Sequence, residues 1–529
     1  MKSLSGVDGA FLHLETPETP MHVGSLHLFD LPPGFRGDFH AAVKRQMKSR
    51  IRLAPVFTRR LAAMPLQFAN PVWVDAGPID LDHHVQRIEL PAPGTQVQLE
   101  ACTAALHGQL LDRSRPLWRL YVIAGLASGQ AAYYIQVHHA VLDGQAGILL
   151  AQALFDVTER AARLPRGRLA SAEEPGRLAL AAAALRHDAG QYVKLLRNLP
   201  DVVRTLAGLF RAGPEKSGGR LSENFSFGPP SPLNVPITAA RGFAATSIPI
   251  ATLKALAAAH EAKLNDIVLA LCSGALRRWL ARHGGVPKKP LIAAMPISLR
   301  QAGNTEYTTQ ATLSLVNLST HVADPLKRLH AIRDAAGAMK RLARGAQRAI
   351  PTDFPSLGVP WLLHGLAALY GRTRLPGAIP PIANLVISNV PGPPVPLYVA
   401  GARMATYWPL SIVEHGLGLN ITVVSYDGAM GFGFTTAAVA VPDAQALAAD
   451  LHAALDELVA ASRPARAARP AAKRAAKPVE KAAAPAAARI AAKRVARPVG
   501  KAVATTVAKP VARPAAKPAR RRAVARPAD

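Results

Sequence analysis

After Ser462 the chain changes character, and the part able to build a core lies before that point. Residues 463–529 are almost wholly Ala, Pro, Val, Lys and Arg, with near-repeats such as AAKP and VARP, 19 basic residues against two acidic ones and no aromatic side chain. A segment of this composition cannot bury enough apolar surface to offset its ordering entropy. The tail is expected to be disordered.

The body divides into two halves of similar size. In residues 1–164, Val72–Val74, Val85–Leu90, Leu120–Ala124 and Ala131–Val137 read as short strands, and Gly147–Val157 reads as a helix. Residues 165–231 read as a helical crossover, Leu178–Ala212, followed by a linker, Gly213–Ser231, rich in Gly, Ser and Pro. In residues 232–462, Ile250–Ala262, Asn265–His283, Leu326–Arg348 and Ala444–Ser462 have helical spacing, while Leu291–Met295 and Leu385–Val390 read as strands. Leu419–Ser425 and Gly431–Thr436 alternate around Tyr426-Asp427-Gly428, a hairpin signal. The pattern is that of a mixed α/β protein.

The formal net charge is +29, of which +17 falls in the tail and +12 in the body. So basic a tail is expected to seek polyanions, either anionic lipid or, by counterion release, nucleic acid; a solvated tail with no partner is the bland alternative. Without aromatic residues it has no means of stacking on bases. Cys102 and Cys272 supply neither a disulfide framework nor a four-ligand zinc site, and suit a reducing compartment. Both sit in apolar helical context with no adjacent base, as small buried hydrophobes. The opening MKSLSGVDGAFLHLE lacks the basic-then-apolar pattern of a secretory signal, and no apolar run reaches the roughly 18 residues that cross a bilayer. The expectation is a cytoplasmic, non-integral protein. There is no GxSxG elbow, GxxxxGK loop, HExxH or CxxC, so no hydrolase elbow and no metal or redox cofactor is expected.

The sharpest chemical signal follows the strand-like run AAYYIQV. It is His138-His139-Ala140-Val141-Leu142-Asp143-Gly144. An imidazole titrates near neutrality and takes a proton from an alcohol that is otherwise too weak a nucleophile. Asp143, four residues beyond His139, either anchors the loop or orients the ring, and Gly144 permits the turn. A second pair, His83-His84, has Ile88 where the Asp would stand and alternates like a strand, so it is assigned to structure or surface.

HHAVLDG matches the active-site motif of the bacterial wax ester synthase/diacylglycerol acyltransferases, members of the CoA-dependent acyltransferase superfamily. Other segments resemble that family in order: LSGVDGAFLHLETPETPMHVG, RPLW at 115–118, PLNVPITAARGF at 232–243, LNDIVLA at 264–270, MPISLR at 295–300, ISNVPGP at 387–393 and HGLGLNITVVSYDG at 415–428. The resemblance spans Ser3 to Ala461 and leaves out the tail. It implies two chloramphenicol-acetyltransferase-like domains, 1–164 and 232–462, each a mixed sheet flanked by helices, with a substrate tunnel between them.

The resemblance also implies roles. His139 is the general base on the alcohol, attacking an acyl-CoA thioester with no covalent acyl-enzyme, and His138 supports the ring. Asp143 is structural and pairs with an arginine, for which Arg300 is the candidate. Asn265 aligns with an asparagine needed for activity; it either donates to the oxyanion or caps the helix it opens. Pro116, Leu117 and Trp118 pack near the acyl tunnel. Asn389 lies in a rigid loop near the domain junction, and Asn420, with Thr422, either lines the channel or packs within its strand. The expected substrates are long-chain acyl-CoA with diacylglycerol or a fatty alcohol, at the inner face of a membrane or a lipid inclusion. Two alternatives are another alcohol or amine acceptor, and a weakly active tether working through the tail.

Overall fold

The computed structural model describes residues 2–141, 150–151, 153–160, 169, 171–172, 174–193, 227–298, 311–346 and 380–463. Asp143, Gly144, Arg300, most of the expected linker and the tail beyond Arg463 lie outside the described residues. So does the proposed Asp143–Arg300 pair.

The first sheet is built on β2 (His22–Asp30), β5 (Val85–Glu89), β6 (Trp118–Ala124) and β7 (Ala131–His138). β7 lies between β2 and β6, antiparallel to both, and every one of its residues is buried. Both faces are covered, which is why AAYYIQV reads as a continuous apolar run rather than an alternation. Tyr133, Ile135 and Val137 pack with Val43 and Met47 of α2 (Phe39–Arg50). Tyr134 and Ala132 pack on the other side with Leu99 and Ala104 of α4 (Gln96–His107), which follows the short α3 (Leu81–His84). A small ribbon of β3 (Arg59–Ala62) and β4 (Val72–Asp75), with β1 (Lys2–Ser3) beside β4, flanks this sheet. α1 (Gly6–Leu14) precedes β2, its N-terminus capped by the Ser5 hydroxyl accepting from the Asp8 N–H.

The second sheet runs β10-β9-β11-β15-β16-β8, with β8 (Arg241–Pro249), β9 (Ile292–Ser298), β10 (Ala311–Asn317), β11 (Leu385–Val390), β15 (Leu419–Tyr426) and β16 (Ala429–Ala437). The expected hairpin joins β15 to β16, and Asp427 and Gly428 both take positive φ, as a two-residue turn of this hand requires. The helices Leu264–Arg282 and Ala444–Ser462 cover the sheet through Ile267, Leu271, Leu276, Leu447 and Leu451, which meet Ile421, Phe432 and Phe434. Each such fully buried side chain contributes about 1.5–3 kcal/mol.

The second half lends strands to the first sheet. β12 (Tyr398–Val399), β13 (Ala402–Met404) and β14 (Trp408–Leu410) come from the second half and join the first sheet, where β13 and β14 pair with β2. Periodicity cannot show such a crossing, because three-residue strands carry no period. Glycines in β16 make it sterically feasible. A Cβ on Gly431 would lie 2.1 Å from the Tyr407 carbonyl oxygen, and one on Gly433 would lie 1.8 Å from that of Pro409.

Two local expectations change. The helix expected over Gly147–Val157 does not continue through Asp156, which instead exchanges backbone hydrogen bonds of 2.8 Å with Tyr398. There its carboxylate meets buried Arg50 at 2.5 Å. His83 and His84 end the helical turn α3, which Asp80 caps, and β5 starts only at Val85. Among the described residues no helix is long and apolar enough to cross a membrane.

Candidate active site

β7 ends at His138, and His139 opens the short turn His139–Val141. Two backbone bonds hold the exit. The His138 N–H donates to the Leu117 carbonyl at 3.0 Å, and the His139 N–H donates to Met21 at 2.9 Å. Leu117 also packs with Ala140, Leu12 and Trp73, while Trp118 is buried against Phe57 and stacked on His84. Pro116, Leu117 and Trp118 are all buried, so this block acts on the site by seating the strand end. His84 is buried in the same stack, and its Nδ1 donates to the Trp118 carbonyl, 2.9 Å away.

His138 is wholly buried. Its Nδ1 accepts from the Ala140 N–H at 3.1 Å, which leaves the proton on Nε2. Nε2 faces Glu15 Oε1 at 3.3 Å, with a geometry short of a full hydrogen bond, so the contact is chiefly electrostatic. Glu15 is held in turn: Oε1 accepts from the Met21 N–H at 3.0 Å and Oε2 from Arg113 at 2.8 and 3.2 Å. Burial alone would raise the Glu15 carboxyl. The His138 contact and the Arg113 charge outweigh it and hold the group at about 2, so it is an anion. Glu15 lies inside the LSGVDGAFLHLETPETPMHVG block, yet nothing in its local pattern marks it, because its partners stand 98 and 123 residues away.

His139 is half-buried. Its ring stacks on Phe11 of α1 with centroids 3.9 Å apart, and its Nδ1 is covered and makes no hydrogen bond. Desolvation, reinforced by the neighbouring His138, brings the imidazole down to about 4. It is therefore neutral at pH 7, with the unprotonated nitrogen a base requires.

The asparagines form a second cluster. Asn265 is the second residue of the Leu264–Arg282 helix and does not cap it; Asp266 does, accepting from the Lys263 N–H at 2.8 Å. Asn265 instead accepts from Asn389 Nδ2 at 3.2 Å, and its own Nδ2 makes only a 3.9 Å contact with Met295 Sδ. Asn420 donates to the Ile412 carbonyl and accepts from Thr422, and both are buried within β15. Among the described residues no hydrogen bond joins the histidine and asparagine clusters, and no group of three His, Cys, Asp or Glu is placed to hold a metal ion. Burial pushes the Cys272 thiol up to about 12 and raises that of Cys102, so neither is a thiolate nucleophile.

Residues 4–268 match the model of the wax ester synthase/diacylglycerol acyltransferase catalytic domain, and residues 309–459 match the C-terminal domain of the same family. A Mycobacterium tuberculosis protein named for diacylglycerol O-acyltransferase activity is 35% identical over 474 residues, 87% of this chain and 91% of the relative. A second from that organism, tgs2, named for the same activity, is 35% identical over 85% of this chain and 97% of its own. Among solved structures, the wax ester synthase/diacylglycerol acyltransferase from Marinobacter aquaeolei VT8 superposes with a TM-score of 0.63 at 29% identity, over 87% of this chain and all of that one. The first condensation domain of the calcium-dependent antibiotic synthetase follows at 0.52 and 16% identity, over 88% of this chain and 96% of that one, a likeness of fold alone.

Proposed function

Because the chain belongs to the wax ester synthase/diacylglycerol acyltransferase family and is an O-acyltransferase, we propose that it moves a long-chain acyl group from acyl-CoA to diacylglycerol or a fatty alcohol, with His139 as general base. The observation that carries this reading is the neutral, half-buried imidazole of His139 at a strand end fixed by backbone bonds on both sides.

His139 Nε2 takes the hydroxyl proton as the acceptor oxygen attacks the thioester carbonyl. A C–O bond forms and the carbonyl becomes a tetrahedral oxyanion. The oxyanion collapses, the C–S bond breaks, and the departing thiolate takes the proton back from the imidazolium as free CoA. No acyl-enzyme forms, and no metal or redox cofactor takes part. Asn265 supplies the oxyanion donor in this reading, since its amide N–H groups are spent on nothing better than a thioether contact. His138 and Glu15 act behind the base, holding the strand exit in place. The Asp143–Arg300 pair is retained in the proposal as the brace of the following loop. The acceptor and product are lipids, so we also propose peripheral attachment to an anionic membrane or lipid inclusion, aided by the net +17 of residues 463–529.

The test is CoA release from palmitoyl-CoA by the purified protein with hexadecanol, with dioleoylglycerol or with neither. Release that requires an acceptor supports direct transfer, and the ratio of the two rates names the preferred ester. A stoichiometric burst of CoA without acceptor would mean an acyl-enzyme and would overturn this mechanism.

A further inference from the structure

The helix over residues 177–193 buries one face against the protein and exposes apolar side chains on another. Leu180, Ala184, Asp188 and Gln191 are buried at the spacing of a single helix face. Leu180 and Ala184 pack with Ala62, Met64, Val72 and Val74 on the β3–β4 ribbon. Leu178, Ala182, Leu185, Ala189, Tyr192 and Val193 fall on a second stripe about 100° wide, turned away from that core. Leu178 is 88% exposed, Leu185 57%, Val193 49% and Tyr192 46%. A helix face that meets only water normally carries charged side chains. This stripe carries none between its edges, with Arg186 beside it.

Basic groups line the path of the segment that leads into the helix. The segment leading into it crosses the ribbon, where Glu174 pairs with Arg60 at 2.9 Å and Ala172 lies close against Gly77. Further back, Leu169 joins Ile79 and Leu81 in a groove of about 680 Å³ that is rimmed by basic residues of α2 and the turn after it. Lys44 there is paired with Asp82, whereas Arg45, Lys48 and Arg52 have no carboxylate partner among the described residues.

We propose that the outer stripe of helix 177–193, with the basic groove lined by Leu169 of the segment leading into it, is the face on which the protein docks on an anionic lipid surface. Such docking has a purpose only if the acceptor is a lipid, so the inference rests on the function proposed above to that extent. A second copy of the chain is the poorer occupant. The stripe of a helix this long covers about 25 Å by 10 Å, or about 250 Å², whereas a stable dimer buries about 800 Å² on each partner. A bilayer demands no such matching shape. It takes up Leu and Val, seats the amphipathic Tyr192 ring at headgroup level and draws the unpaired cations to lipid phosphates.

The test is flotation of the full-length protein with vesicles of phosphatidylcholine containing about 30% phosphatidylglycerol, in about 0.5 M NaCl, where a Debye length of about 4 Å suppresses the pull of the basic tail. No substrate is needed, so a failure here is distinct from a failure of the acyl-transfer reading. Wild-type protein is expected to float. The variant Leu178→Glu/Leu185→Glu/Tyr192→Glu is expected to lose at least about tenfold in vesicle affinity, with an unchanged thermal melt and unchanged turnover of detergent-dispersed substrates. The variant Arg45→Glu/Lys48→Glu is expected to weaken binding at low salt to phosphatidylglycerol vesicles and not to pure phosphatidylcholine. Equal flotation of the triple variant, or no flotation of the wild type, overturns the proposal. So does a lipid-free wild-type dimer in sedimentation velocity that the triple variant dissociates, which would make the stripe a contact between copies.

Discussion

The phenyl ring of Phe11 and the imidazole of His139 lie face to face, with centroids 3.9 Å apart and planes 23° from parallel. The contact ties α1 to the turn after β7 and removes water from one face of the proposed base. Phe11→Ala is expected to rehydrate the ring and move the acid limb of kcat/KM up from about 4 toward the ordinary imidazole value. Looser orientation is expected to cost about tenfold in kcat/KM. A pH–rate profile reads both effects, and a limb that does not move would show that Phe11 does not set the base.

Glu15 stands 3.3 Å from His138 and takes two bonds from Arg113. Glu15→Gln keeps the shape and removes the charge. It is expected to lower kcat by about tenfold or more with little change in KM, and to lower stability by about 1–3 kcal/mol, the penalty of a buried hydrogen-bond acceptor exchanged. Kinetics at saturating substrate and chemical denaturation measure the two separately. A change in stability alone would make the residue a structural anchor.

Arg50 and Asp156 form an ion pair whose side chains are 3% and 6% exposed. Asp156→Ala leaves a buried, unpaired guanidinium and is expected to cost about 3–5 kcal/mol. Replacing both partners, Arg50→Met with Asp156→Leu, is expected to recover most of that loss. Equilibrium unfolding of the three proteins checks it.

Acid is expected to destabilise the fold well before the carboxylates titrate. Burial brings His22, His84 and His139 down to about 4 and His27 to about 3, and His107 falls well below its usual value. Between these values and about 6.5 the unfolded chain binds protons that the native protein refuses, so stability falls as pH falls. Each ring contributes up to about 1.4 kcal/mol per pH unit across that window. Thermal melts should be flat above pH 7 and drop steeply from pH 6.5 to 4; melts independent of pH across that range would contradict the burial of these rings.

Much of this was legible in the residues and some was not. HHAVLDG follows a strand because AAYYIQV is apolar but for Gln136, and the Asp427-Gly428 hairpin followed from its turn chemistry. The Asn265–Asn389 pair joins two blocks that were each singled out, though only the fold shows that they meet across 124 residues. The passage of β12, β13 and β14 into the first sheet left no trace, because strands of two or three residues have no periodicity. Glu15 escaped for a related reason: an acid next to Thr and Pro reads as loop surface until Arg113 and His138 close over it.

Catalysis in this mechanism turns on His139. The most direct test is acceptor-dependent CoA release by His139→Ala against wild type at pH 7.5, with circular dichroism confirming that both are folded. A fall of at least about 100-fold in kcat is expected, the share of general-base catalysis, with acyl-CoA binding retained. Turnover within a few-fold of wild type would contradict this mechanism and remove His139 from the chemistry.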